Sequence, residues 1–161
     1  ATMDGDTSGG LSPIAGIDKH YLREWLRFME STGLPESPSI KELSQINVQN
    51  PTAELRPEDA NQTDEDDLMP YQVLDTLERA AIRDKKGPKS ALQVIRATHP
   101  QHEEKQLVDW TKKFYQLWCR NQWKRERYAV AFHVDDQNLD PKTLCRFPVL
   151  SAGFREELSQ L

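Results

Sequence analysis

Apolar side chains recur at helical spacing in the first part of the chain. Charged residues separate them, so one face of the predicted element is apolar and the other is polar. This pattern predicts an amphipathic helix over Lys19–Ser31, with Asp18 as its N-cap and Gly33 at its end. The apolar face would comprise Leu22, Trp25, Leu26 and Met29.

Three further helices are predicted downstream of a proline-containing connector, 35–49, which has one helical turn at 40–44. The first begins around Pro70, because the first turn of a helix tolerates proline, and it turns Leu74, Leu77 and Ala81 to one side. The second covers 89–97 and is broken by His99-Pro100. The third covers about 103–120, with an apolar stripe of Leu107, Thr111, Phe114, Leu117 and Trp118.

These elements divide the chain into three segments. Residues 1–16 form a loop rich in glycine, serine and aspartate, residues 17–128 form a helical part that contains a polar loop at 50–70, and residues 129–161 form an irregular tail. The expected chain is therefore mostly α-helical with few short strands. Because it opens directly on a glycine-rich turn, we expect a fragment of a longer polypeptide.

Composition excludes several classes of protein. The 161 residues carry a net charge of -5, which argues against a surface devoted to nucleic acid. No apolar run is long enough to span a bilayer and no secretory signal is apparent, so a cytoplasmic protein without membrane contact is expected. Cys119 and Cys145 are the two cysteines, and no CxxC motif accompanies them, which favours ordinary thiols.

Two charged stretches leave alternatives open. Six of the ten residues from Glu58 to Asp67 are acidic, which would suit magnesium or, more commonly, would complement the N-terminus of a helix. The basic and aromatic segment 118–128 could follow a nucleic-acid backbone and stack on bases. The amphipathic helices also fit a noncatalytic interaction module.

One run of residues is harder to explain by folding alone. Asn50-Pro-Thr-Ala-Glu-Leu-Arg-Pro57 is followed by Gln62-Thr-Asp-Glu-Asp-Asp-Leu-Met-Pro-Tyr71, so a hydroxyl, an arginine and an acidic cluster precede a helix start. With the glycine-rich segment that ends at Lys19 and with Asn-Gln-Trp-Lys-Arg125, this run resembles the synthetase domain of glutamine-dependent NAD synthetases. The resemblance extends from Gly5 to Leu150.

The resemblance implies roles for four residues. Lys19 matches a lysine that contacts ATP, and Thr52 matches a threonine that contacts ATP. Lys124 matches a lysine that faces deamido-NAD, and Trp123 would lie beside that dinucleotide. The resemblance assigns no metal ligand to this chain, because the pyrophosphate loop and the carboxylates that bind magnesium would lie upstream. Gly10 stands where several relatives place an aspartate that contacts deamido-NAD.

The resemblance also implies a fold and a reaction. The parent fold would be α/β, of the Rossmann-like adenine nucleotide α-hydrolase type, and this chain would be its mostly helical C-terminal portion. The reaction is the ATP-dependent amidation of deamido-NAD to NAD through an adenylated intermediate, with magnesium as cofactor. Ammonia would come from a glutaminase domain on the same longer chain, and the assembly would be a homodimer. The fragment alone would be inactive.

Overall fold

The structure is a computed structural model that describes residues 9–14, 16–49, 51, 63–132 and 146–161. Within these ranges the elements are mostly helical, as predicted. They are, in chain order, helix α1 (Lys19–Ser31), strands β1 (Gly33–Leu34) and β2 (Ser37–Pro38), and helices α2 (Ser44–Asn47), α3 (Asp64–Asp67), α4 (Tyr71–Glu78), α5 (Pro88–Thr98), α6 (Glu104–Arg120), α7 (Gln122–Arg125) and α8 (Arg155–Ser159).

The chain divides into two compact units. One unit is Ile17–Gln72, and the other combines Ala1–Gly16 with Val73–Leu161. The helical part predicted as one segment, 17–128, is therefore shared between two units. The loop predicted at the start of the chain belongs to the same unit as the tail.

In the unit Ile17–Gln72, α1 has the predicted bounds and buries Met29. It packs against α2 and against a short 3₁₀ turn, Lys41–Leu43. This turn and α2 replace the single helical turn that the sequence predicts at 40–44. Beside Met29, α1 is aromatic and exposed, with 61% of Tyr21, 39% of Trp25 and 38% of Phe28 accessible, so Trp25 is not buried with Met29 as predicted.

A small hairpin follows α1. Strands β1 and β2 pair antiparallel, with Gly33 opposite Pro38 and Leu34 opposite Ser37. Gly33 has a φ of +73°, and a Cβ at this position would come within 2.5 Å of the Ser39 nitrogen. Only glycine fits this turn, which explains why the helix ends where it does. The sequence predicts a connector from residue 35 and no strands, so the hairpin is not foreseen by it.

The unit that contains Val73–Leu161 has its core between α5 and α6. Periodic apolar residues of both helices are buried, and the buried Thr111 hydroxyl is satisfied because it donates to the Leu107 carbonyl at 2.8 Å. Glu103 and Gln106 form a capping box at the start of α6. The buried apolar residues of the two helices are Ala91, Leu92, Ile95, Leu107, Phe114, Tyr115 and Cys119.

A π-helical turn, Arg79–Arg83, continues α4 and packs on α5. It buries Ala80, Ala81 and Ile82. Of the predicted apolar side, Leu77 and Ala81 are confirmed as core residues, whereas Leu74 is only partly buried. Beyond the turn, Lys85 adopts a φ of +54°, which reverses the chain before Pro88.

The tail differs from its prediction as an irregular segment. Residues Arg155–Ser159 form α8, which packs on α5 and buries Leu158. Glu157 accepts a hydrogen bond from the backbone nitrogen of Lys89 at 3.1 Å, in the first turn of α5. Aromatic rings join the tail to α6, because Phe147 stacks on Trp118 at 5.0 Å and Phe154 meets Tyr115 edge-on at 5.2 Å.

None of the helices in the described parts of the chain combines the length and the apolar character that crossing a bilayer requires.

Candidate functional site

Lys19 begins helix α1 and carries an exposed ammonium group. Its side chain is 54% accessible, and the ammonium forms an ion pair with Asp64, whose side chain is only 18% accessible. Asp64 opens α3, 45 residues further along the chain. The acidic run predicted to need either a cation or a helix N-terminus therefore meets a cation through its first helical member.

Tyr71 holds Asp64 from the other side. Its hydroxyl donates to Asp64 Oδ2 at 3.2 Å, and its backbone nitrogen donates to Glu65 Oε1 at 2.9 Å. Helix α3 is itself capped, because the Thr63 hydroxyl oxygen accepts from the Asp66 nitrogen at 3.1 Å. Two acidic side chains that the sequence presents as a solvated run are thus tied to the start of α4.

Arg23 completes this cluster one turn after Lys19. Its guanidinium carbon lies 5.6 Å from the centroid of the Tyr71 ring, and Nη1 lies 4.0 Å from Glu65 Oε2. Burial raises the pKa of Tyr71 well above its usual value, and the neighbouring Asp64 carboxylate raises it further. The phenol therefore stays protonated and keeps its role as a hydrogen-bond donor.

We call these five residues, Lys19, Arg23, Asp64, Glu65 and Tyr71, the lysine cluster. An ammonium has three N–H donors, and Asp64 accepts from one of them. The remaining donors face outward on an exposed side chain. Such a group suits an anion with several oxygens, and a phosphate is the common biological case.

Trp123 and Lys124 lie together on helix α7, in the other unit. The Lys124 ammonium lies 5.7 Å from the Trp123 ring centroid, and 39% of the indole is exposed. A cation beside an exposed aromatic face can bind a ligand that carries both a planar ring and a negative charge. A nucleotide has both features.

The buried face of α7 explains how this pair is held. Gln122 and Arg125 are buried, and the guanidinium donates to Gln122 Oε1 at 2.7 Å through Nη2 and at 3.0 Å through Nε. Arg125 also donates to the Trp118 carbonyl. Arg125 is thus a buried structural cation within the basic segment 118–128.

The loop before α1 is joined to the segment after α7. Leu11 pairs with Val130 in an isolated parallel bridge, and the Ser12 nitrogen donates to the Val130 carbonyl at 2.9 Å. Gly16 lies so close to the Phe132 carbonyl oxygen that a Cβ would be 2.6 Å away. The glycine thus permits a close backbone approach.

An open cleft of about 580 Å³ lies between the second half of α6 and the tail. Cations from both sides line it, and Cys119 also lines it, beside Gly153 in the loop that leads into α8. Burial raises the pKa of the Cys119 thiol above its usual value, so the thiol is the neutral, unreactive form at physiological pH. The lining cations are Lys112, Arg120 and Arg155.

The sequence-predicted site residues have different outcomes. Lys19 lies in the lysine cluster, whereas Trp123 and Lys124 lie on α7. Thr52 lies outside the described residues, so its contact with ATP stays a prediction. Arg23 and Tyr71 are not among the site residues predicted from the sequence. The spacing of Arg23, four residues after Lys19 on one helix, was the available signal.

Comparisons with known proteins agree on one family. The profile of the NAD synthase family matches residues 1–127. The glutamine-dependent NAD(+) synthetase of Aquifex aeolicus is 31% identical over 130 residues, which are 81% of this chain and 20% of that protein. The corresponding protein of Rhodobacter capsulatus is 29% identical over 150 residues, which cover 85% of this chain and 26% of that protein.

A solved structure has the same arrangement of elements. The crystal structure of a glutamine-dependent NAD(+) synthetase from Cytophaga hutchinsonii superposes on this chain with a TM-score of 0.75 at 39% sequence identity. The match covers 99% of this chain and 23% of that chain. The chain thus spans a fifth to about a quarter of the length of these similar proteins.

Proposed function

The chain belongs to the NAD synthase family, and from this premise we propose that it is the C-terminal part of the synthetase domain of a glutamine-dependent NAD synthetase. The full protein would be a carbon-nitrogen ligase that amidates deamido-NAD to NAD at the expense of ATP. Its parent fold would be the α/β layered sheet of the Rossmann-like adenine nucleotide α-hydrolases. This portion supplies helices and ligand-binding side chains.

The proposed reaction has two steps. The nicotinate carboxylate of deamido-NAD attacks the α-phosphate of ATP, and pyrophosphate leaves. Ammonia then displaces AMP and forms the amide. Negative charge on the phosphates is the main electrostatic problem of the first step, so a fixed cation beside them lowers the barrier.

The proposal rests mainly on Lys19. It is an exposed ammonium at the start of a helix, with one donor engaged by Asp64 and others directed to solvent. We assign it to the phosphates of ATP, and we assign Thr52 to a hydrogen bond with the same nucleotide. Both assignments follow the order of motifs in the sequence, and the exposure of Lys19 supports the first.

Magnesium would neutralise phosphate charge when it is bound. The carboxylates of the lysine cluster are poorly suited to hold it, because Asp64 is engaged by Lys19 and Tyr71 and Glu65 accepts from the Tyr71 nitrogen. We therefore assign the metal mainly to residues outside this chain.

Deamido-NAD would contact α7. Lys124 offers a compact positive charge for an anionic part of the dinucleotide, and the exposed indole of Trp123 offers a surface for a planar ring. Gln122 and Arg125 fix the opposite face of the helix, which keeps the pair in a defined orientation.

The remaining partners are proposed from the family. Ammonia would come from a glutaminase domain on the same longer chain, and the enzyme would be a cytoplasmic homodimer. The exposed aromatic face of α1, formed by Tyr21, Trp25 and Phe28, agrees with burial against another part of such an assembly.

The alternative of nucleic-acid binding through 118–128 has less support. Arg125 is buried against Gln122 and the Trp118 carbonyl, so this cation is not available to a phosphate backbone. Trp118 stacks on Phe147 rather than offering an open face to a base.

The test is NAD formation by the full-length protein from deamido-NAD, ATP, magnesium and saturating ammonia. Replacing Lys19 with alanine should lower kcat/KM for ATP by about 100-fold, the loss typical of one preorganised electrostatic contact. Arg27→Ala is the matched control, because it removes an exposed cation from the same helix. Parent-like turnover of Lys19→Ala would refute the ATP assignment.

A further inference from the structure

Asp64 makes contacts that the proposed function does not yet use. Its Oδ2 atom accepts from the Lys19 ammonium and from the Tyr71 hydroxyl, the latter at 3.2 Å. The Asp64 side chain is mostly covered, whereas the Lys19 side chain is more than half exposed. The less exposed partner of this ion pair is thus the better held one, and the more exposed partner is the one that could reach a ligand.

We infer that Asp64 is a positioning residue, which holds the Lys19 ammonium in the orientation that receives the phosphates of ATP. The inference rests on the proposed function, because it requires that Lys19 bind ATP. A lysine side chain has a flexible four-carbon stem and loses rotamer entropy when a ligand fixes it. A carboxylate that fixes the head beforehand removes part of that cost.

The geometry leaves Lys19 able to act. One N–H is directed to Asp64, and two donors remain for phosphate oxygens. Asp64 in turn is kept in place by Tyr71, whose ring lies under the Arg23 guanidinium and whose backbone nitrogen donates to Glu65. Arg23 and Glu65 therefore hold Tyr71 in place, Tyr71 holds Asp64, and Asp64 holds the Lys19 ammonium.

The competing interpretation is a structural tie. Asp64 and Lys19 are 45 residues apart, so their ion pair also links α3 to α1. Both roles act through the lysine, so the double-mutant cycle tests only whether the effect of Asp64 depends on Lys19. The loss of a tie would lower the free energy of unfolding and raise the KM for both substrates. The loss of positioning would raise the KM for ATP and leave the KM for deamido-NAD unchanged.

The experiment measures kcat and KM for ATP in the full-length protein at saturating deamido-NAD and ammonia. The variants are Asp64→Ala, Lys19→Ala and the double variant. Asp64→Ala should raise KM for ATP about tenfold, and the same substitution should change it less than about twofold in the Lys19→Ala background. The KM for deamido-NAD should stay at the parent value throughout.

Two milder variants keep the test informative if alanine at 64 prevents folding. Asp64→Asn retains the shape and loses the charge, and Tyr71→Phe removes only the hydroxyl that holds the carboxylate. Both should raise KM for ATP, Tyr71→Phe by about two- to threefold, and both effects should vanish without the lysine. The exposed pair Arg27 and Glu24 on α1 provides a matched cycle that should leave KM for ATP unchanged.

The outcomes are distinct. Equal losses from Asp64→Ala in both backgrounds, or an unchanged KM for ATP in both, would overturn the positioning role and leave the ATP assignment of Lys19 intact. If Lys19→Ala itself leaves the KM and kcat for ATP unchanged, both the ATP assignment and the positioning role fail. Strong coupling between the Asp64 and Lys19 substitutions that appears only in the KM for ATP supports the inference.

Discussion

The hydroxyl of Tyr115 donates a hydrogen bond of 2.6 Å to the carbonyl oxygen of Lys86. Tyr115 is fully buried on α6, and Lys86 lies in the reversal between the π-helical turn and α5. Burial raises the pKa of Tyr115 far above its usual value, so the phenol remains a donor across the range in which proteins fold. One side chain thus fixes a loop to the central helix.

Removing this hydroxyl should destabilise the protein. Tyr115→Phe leaves the partly buried Lys86 carbonyl without this partner, and the expected loss in free energy of unfolding is about 1 kcal/mol. Urea unfolding followed by tryptophan fluorescence measures it. Tyr21→Phe is the control, because that ring is 61% exposed, and it should leave the midpoint unchanged. Equal midpoints for both variants would contradict the prediction.

Gly16 should not tolerate a side chain. A Cβ there would lie 2.6 Å from the Phe132 carbonyl oxygen, so the backbone must move and Gly16→Ala should cost about 2 kcal/mol. Gly10→Ala is the matched control in the same loop, since no atom lies within 4 Å of its added Cβ. Thermal unfolding should separate the two variants, and a parent-like melting temperature for Gly16→Ala would be the opposing result.

Replacing Lys124 should weaken the binding of deamido-NAD and leave the binding of ATP unchanged. Lys124→Gln removes a charge-assisted contact, so we expect KM for deamido-NAD to rise about tenfold while KM for ATP stays the same. Lys105→Gln removes an exposed charge from α6 and should have neither effect. A rise in KM for ATP alone would place Lys124 at the other substrate.

His99 should make stability dependent on pH. Burial holds the pKa of His99 below its ordinary value of 6.5, the nearby His102 lowers it further, and Nε2 lies 2.8 Å from the Thr76 hydroxyl. Below pH 6.5 the unfolded chain binds a proton that the folded chain does not, so stability falls until the pH passes the folded pKa.

Replacing this histidine should reduce that loss. His99→Gln keeps a polar group for Thr76 and removes the protonation of the imidazole. The melting temperature of the variant should therefore fall less than that of the parent between about pH 7.5 and pH 5.5. This range covers about two pH units around the ordinary pKa of histidine. Differential scanning calorimetry at both pH values provides the comparison. Parallel losses in parent and variant would show that other groups govern the pH dependence.

Cys119 should react slowly. Its buried thiol has a raised pKa, so less thiolate is present at a given pH than for an exposed cysteine. Iodoacetamide at pH 8 should label the peptide that contains Cys119 at least about tenfold more slowly in the folded protein than in urea. Peptide mass spectrometry resolves this cysteine from others, and similar rates in both conditions would mean that the cleft exposes the sulfur.

The strongly periodic elements could be predicted from the sequence. Helix α1 has its predicted bounds, and α5 and α6 differ from prediction by one residue at their starts or ends. Local spacing determines these helices, since each buries one face against a neighbour. The family could also be predicted, because three blocks of residues occur in the expected order.

Other features depend on contacts between distant residues. The ion pair of Lys19 with Asp64 joins positions 45 apart, and no local pattern selects Asp64 from four consecutive acidic residues. Helix α8 has five residues and forms where Leu158 and Glu157 meet α5. Arg125 has the composition of a surface residue, yet Gln122 and the Trp118 carbonyl satisfy it inside the unit. Tertiary context decides such cases.

The π-helical turn at Arg79–Arg83 has a consequence for insertions and deletions. A π turn holds one more residue than an α turn, so loss of a single residue there can convert it to regular helix while the flanking side chains keep their faces. The same deletion within α5 or α6 would rotate every following side chain by about 100° and turn the core face toward water. Length variation of one residue among homologous chains is therefore best accommodated at this turn.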